Sequence, residues 1–166
     1  VIVLAFDPGP HSTAFALVQG DERQQQVVES GKVLSAAPEL KALLVRVATR
    51  DARLLVAVET VAGYLAHPAR AASLFETARV AGLILGLAHP CPTFTLPANA
   101  TGSADSWRLR LCRNPRAGDA QVRRALTDRR VRVRGLSTHE RDAVGLGVVT
   151  LLSSRVIRRL YNLEAA

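Results

Sequence analysis

Cysteine is nearly absent from the sequence, Cys91 and Cys112 being the only two. They are too few for a disulfide framework, and their separation matches no zinc-ligand spacing, so both are expected as ordinary reduced thiols. Long hydrophobic runs are missing as well. Stretches such as Val80 to Ala88 and Val144 to Leu152 fall short of the roughly 20 apolar residues that cross a bilayer, and the opening VIVLAF reads as a strand, not a signal segment. A soluble, cytoplasmic protein with no membrane partner is the expectation. No internal repeat or low-complexity tract interrupts the chain. What remains is 166 residues, 48% hydrophobic, enough to bury the core of one domain spanning residues 1–166.

Lysine is scarce too, with two against 20 arginines, and the net charge is +8. The excess is not spread evenly: residues 1–100 hold eight basic and eight acidic side chains, whereas residues 101–166 hold fourteen arginines and six acids. A basic excess confined to one end of a chain points to a polyanion partner. Arginine's forked donors suit phosphate, although a GC-rich genome gives the same bias and a solvated basic face is the bland alternative.

Hydrophobic periodicity gives an ordered series of elements. Val1 to Asp7 and Thr13 to Val18 read as a hairpin, Gln25 to Val33 as a third strand, and Pro38 to Thr49 as an amphipathic helix. Leu54 to Glu59 is a buried strand, Ala69 to Leu87 an alanine- and leucine-rich helix, and Thr93 to Leu96 a closing strand. After a small-polar loop come basic helical stretches at Ser106 to Cys112 and Asp119 to Arg130. Ser137 with Glu140 three residues later forms a capping box for a long helix reaching about Asn162. The fold class is α/β: a mixed five-stranded sheet, antiparallel then parallel, flanked by helices, with a long C-terminal helix.

Three acids sit where elements end or begin. Asp7 closes the first strand in LAFDPG, Glu59 closes the fourth in LLVAVET, and Asp142 lies in the first turn of the last helix. His139 precedes Asp142 by three residues and shares its helix face. Each alone is explained by turns, caps or the helix macrodipole. Together they suggest more, because strands one and four as sheet neighbours would bring both acids to one edge. Carboxylates gathered with no lysine or arginine beside them need a cation. Two divalent ions about 3.5–4 Å apart hydrolyse a phosphodiester by binding the attacking water and the leaving oxygen.

These residues carry a resemblance. LAFDPG resembles the LGIDPG of the RuvC Holliday-junction resolvases, in the RNase H-like superfamily, and TAFAL resembles their TGYGV. AVETV is similar to their AIEQV, LFETARVAGLILGLA to the helix that pairs subunits, and HERDAVGLGV to DAADALAIA. The resemblance runs over nearly the whole chain. It implies an RNase H-like fold and a divalent-metal-dependent endonuclease with two Mg²⁺ ions per site, Mn²⁺ being a plausible substitute. Asp7, Glu59 and Asp142 fall on its catalytic metal ligands, and His139 on a position held by aspartate in many members and histidine in some. The implied activity is paired nicking of a four-way DNA junction by a homodimer, leaving 5′-phosphate and 3′-hydroxyl ends.

The sequence departs from that pattern in three places. Asp119 in AGDAQV stands where the family has a basic residue, leaving Arg116, Arg113 or Arg123 to supply a phosphate contact. The loop TLPANATGSADSW is longer than the family's turn, and Trp107 after it is either a base-stacking ring or a core residue. Ala62 stands where an aromatic is usual, so Tyr64 becomes the candidate wedge. With Arg108 and Arg110 these make up the expected DNA-contacting set. The rival readings are an RNase H-like nuclease acting on RNA, and a junction-binding structural protein with weakened catalysis.

Overall fold

A computed structural model describes residues 1–50, 54–61, 68–98 and 105–153 of the chain. Tyr64 and the expected continuation of the last helix to Asn162 lie outside the described residues. The elements are β1 (Ile2–Asp7), β2 (Ser12–Gly20), β3 (Gln25–Leu34), α1 (Ala37–Ala48), β4 (Leu54–Thr60), α2 (Pro68–Ala88), β5 (Thr93–Pro97), α3 (Trp107–Cys112), α4 (Asp119–Asp128) and α5 (Thr138–Leu152). Strand order is β3-β2-β1-β4-β5. The first three strands form an antiparallel meander, and β4 and β5 add in parallel, each after a helical crossover. The α/β architecture read from the pattern is therefore present, with element ends displaced by one or two residues.

Side-chain alternation divides the core into two layers. Leu4 and Phe6 of β1, Phe15 and Leu17 of β2, and Val56 and Val58 of β4 face α1 and α2. Val3 and Ala5, Ala16 and Val18, and Leu55 and Ala57 face the other way, toward α3, α4 and α5. Fully burying residues such as Leu4 and Phe6 stabilises the fold by about 1.5–3 kcal/mol each, so a one-residue slip in register would be prohibitive. Asp7 and Glu59 continue the second set. Both carboxylates therefore emerge on the α5 side of the sheet.

That side is built for close approach. The sheet offers Ala5, Ala16 and Ala57, and α5 answers with Gly147, whose Cβ would meet Val18 Cγ2 at 2.7 Å and Ala5 Cβ at 3.3 Å. Nothing larger than hydrogen fits there without displacing a stiff side chain in a packed core. Consequently α5 lies flat on the sheet with Ala143 to Leu151 buried, and its first turn reaches the edge where Asp7 and Glu59 end. The start of α5 is fixed by the expected capping box. Ser137 Oγ accepts from Glu140 N, and Glu140 Oε2 accepts from Ser137 N at 3.0 Å.

The candidate metal centre and its basic surroundings

The site is assembled by register. β1 and β4 are parallel with Phe6 opposite Val58, so Asp7 and Glu59 are the next position on adjacent strands. The turn after Asp7 is held tightly, because a Cβ on Gly9 would sit 2.5 Å from Ser12 O, and Ser35 Oγ donates to Gly9 O at 2.7 Å. From α5, His139 Nδ1 lies 2.7 Å from Asp7 Oδ2. From α3, Trp107 Nε1 donates to Glu59 Oε2 at 2.8 Å, and Arg108 Nη2 donates to Asp142 Oδ2 at 2.7 Å. Asp142 Oδ1 is buried with no hydrogen-bond partner among the described residues.

Crowding acids in a partly dehydrated corner makes their ionisation difficult. The Glu59 carboxyl is pushed up to about 8, first by burial and then by the charge of Asp7, against the pull of the Trp107 hydrogen bond. Asp142 is also raised by burial, with the Arg108 guanidinium opposing the shift. The hydrogen bond to Asp7 raises His139, favouring its charged form.

Contrary to the sequence expectation, the acids have a basic neighbour: Arg108, only 19% exposed, forms an ion pair with Asp142. Spacing along the chain could not show this, since Arg108 and Asp142 are 34 residues apart and meet only because α3 packs on α5.

As the side chains stand, no three or more histidine, cysteine, aspartate or glutamate residues among the described residues converge on a point that would hold an ion. The donor chemistry nonetheless fits a hard divalent cation. Three carboxylates and an imidazole are available, one buried carboxylate oxygen lacks a partner among the described residues, and added positive charge would favour the ionised form of Glu59, which burial and Asp7 disfavour. Asp7, Glu59, His139 and Asp142 would hold it.

A stability measurement checks this electrostatic account. Glu59 binds a proton more tightly folded than unfolded, so between about pH 4.5 and 8 the native state holds more protons than the unfolded chain, and stability falls as pH rises. Urea denaturation in EDTA should show that decline, and saturating Mg²⁺ should flatten or reverse it. A flat metal-free profile through this window contradicts the crowded-acid picture.

Two residues at this edge were missed by sequence reasoning. Lys32 pairs with Ala14, which pairs with Asp7, so the three form a lateral row across β3, β2 and β1. Lys32 and His11 join Asp7 and His139 around a cavity of about 180 Å³. The signal was available in the hairpin register, which carries one of the two lysines to the acid edge.

The expected DNA-contacting residues separate into groups. Trp107 is fully buried, so its ring belongs to the core and is not presented to a base. Arg110 is exposed but engaged with Asp105 and with Ser153 Oγ. Arg113, Arg116 and Arg123 are exposed. Around α4 lie two clefts, one lined by Arg113, Arg124 and Arg129, the other, of about 540 Å³, by Arg123, Arg132, Arg134 and Arg141. Asp119 accepts from Arg141 Nε at 2.8 Å, and Arg141 also donates to Leu136 O. The acid that broke the family pattern is thus the partner of a buried arginine in the first turn of α5, where it helps to hold the turn bearing His139 and Asp142.

No family model and no curated protein matches the sequence. Solved structures do match in three dimensions. The RuvC structure of Thermus thermophilus superposes with a TM-score of 0.69 at 16% identity, covering 94% of this chain and 96% of that one. The chain has the RuvC fold. The T. thermophilus RuvC complex with a Holliday junction substrate gives a TM-score of 0.65 at 16% identity, over 93% of this chain and 95% of that one. Ydc2, the yeast mitochondrial Holliday junction resolvase, gives 0.53 at 11% identity, over 97% of this chain and 82% of that one.

Proposed function

We propose that this protein is a structure-selective endodeoxyribonuclease that resolves four-way DNA junctions by metal-dependent phosphodiester hydrolysis. The observation that carries the proposal is the gathering of Asp7, Glu59, His139 and Asp142 at one sheet edge, on the side where α3 and α5 pack. The likeness to resolvase structures supports the choice of substrate. Mg²⁺ ions bound there would polarise the phosphate, activate water and neutralise the leaving oxygen. The chain's own parts have separate tasks: Asp7, Glu59, His139 and Asp142 bind and orient, while the exposed arginines around α4 hold phosphates flanking the cut.

A junction has two equivalent strands, which a two-fold dimer matches with two sites. Helix α2 supports this reading. The face expected to meet a partner, Ala71, Leu74, Ala78, Ala81 and Leu85, turns partly inward, with Ala81 buried on the core. A neighbouring face stays open: Phe75 is 63% exposed, and no atom of the described residues would lie within 4 Å of a Cβ at Gly82 or Gly86. Light scattering should give a dimer, and Phe75→Glu should give monomers that still bind single junction arms.

The testing experiment compares labelled four-way junctions, linear duplexes, single strands and an RNA hairpin, each with Mg²⁺, Mn²⁺ or EDTA. Paired, symmetric, metal-dependent nicks confined to the junction are expected. Tight junction binding without cutting would replace the proposal with a structural junction binder, and cutting of RNA would replace it with an RNA-acting nuclease. Junction affinity should fall steeply with salt, because arginines carry it.

A further inference from the structure

Helix α3 places two consecutive side chains on the acid cluster. Trp107 holds Glu59 and Arg108 holds Asp142, and the Arg108 guanidinium lies 5.0 Å from the Trp107 ring centroid. The Arg108–Asp142 pair is well shielded, with side chains 19% and 8% exposed, so its attraction is weakly screened by salt. A carboxylate oxygen committed to a guanidinium cannot at the same time offer its full charge to a metal ion. Asp142 Oδ1 meanwhile is buried and unpartnered among the described residues, an arrangement that costs stability unless something arrives to use it.

From this geometry we propose that Arg108 is a built-in counter-ion for Asp142 that a divalent cation must displace, so that α3 sets the metal affinity of the site. This rests on the metal-site reading above. In the metal-free protein the guanidinium neutralises part of the acid cluster and keeps the fold intact. When a cation binds, Asp142 turns its charge to the ion, and Arg108 leaves the carboxylate and with it the face of Trp107. No bond is made or broken apart from hydrogen bonds and ion contacts. Metal loading then becomes an exchange of one positive charge for another, and weaker than the ligand set alone would give.

Arg108 is thus a positioning residue, and its role is separable from catalysis by measuring metal binding directly. Mn²⁺ titration of the full chain by calorimetry, without DNA, should show Arg108→Ala and Arg108→Gln binding about tenfold or more tightly than wild type, the coupling of a close charge pair being released. Thermal melting should show both variants destabilised in EDTA and gaining more from Mn²⁺ than wild type does. Trp107 is the only tryptophan, so its emission should shift on Mg²⁺ addition in wild type and shift much less in Arg108→Gln. Unchanged or weaker Mn²⁺ binding in both variants, with wild-type binding intact, overturns the counter-ion role alone. Absence of Mn²⁺ binding in wild type and both variants overturns the metal site and the counter-ion role together.

Discussion

Asp7→Asn should remove cleavage and spare binding. The substitution keeps the shape of the side chain and its position at the end of β1, but it withdraws the negative charge that a cation needs. Residues that merely support a ligand cost roughly 10–100-fold in metal affinity or activity when changed, so loss of a ligand itself should exceed about 100-fold in the cleavage rate. Junction affinity in EDTA should be equal or higher, since one carboxylate charge facing the phosphates has gone. Gel-based nicking and binding assays on the same preparation read both quantities. A variant that still cuts would remove Asp7 from the ligand set, and one that loses binding together with cutting would mean that Asp7 is structural.

Trp107→Ala should be among the most destabilising single changes in the chain. The ring is fully buried in the α3–α5 layer, against the face of α5 that carries Gly145, and its Nε1 donates to Glu59. Truncating a buried tryptophan costs about 3–5 kcal/mol, which for a domain of this size lowers the melting temperature by roughly 6–20 °C. Trp107→Phe fills most of the space, so it should lose much less stability while removing the hydrogen bond to Glu59. Its signature is a Glu59 carboxyl raised further, seen as a metal-free stability decline with pH that begins at the same pH and extends higher. Equal melting temperatures for Trp107→Ala and wild type would contradict the burial of this ring.

The sheet was legible because its signals are local. An apolar run ending in an acid, as in VIVLAFD and LLVAVE, marks both a buried strand and where it stops; the crossover after β3 suits a β4 parallel to β1, and the structure supplies their adjacency. The capping box at Ser137 and Glu140 was equally local, so the start of α5 and the spacing of His139 and Asp142 were fixed by neighbouring residues. The contacts of α3 were not legible. WRLRLC presents an aromatic and two arginines at positions that suit either a DNA-facing helix or a packed one, and the choice is made by the docking of α3 on α5. For the same reason Asp119 reads in the sequence as a lost phosphate contact, whereas in the fold it is the partner of Arg141, 22 residues away. Charges that pair through tertiary packing leave no spacing rule in the chain.

The proposed activity requires above all that the acids at the ends of β1 and β4 and the start of α5 hold divalent cations. Crystals grown with Mn²⁺ and measured at an energy where manganese scatters anomalously test it directly. The predicted result is anomalous density at the carboxylate oxygens of Asp7 and Asp142, with the Arg108 guanidinium moved off Asp142. An Arg108–Asp142 pair left intact, with no anomalous density at this edge in a preparation that cuts junctions, would contradict it.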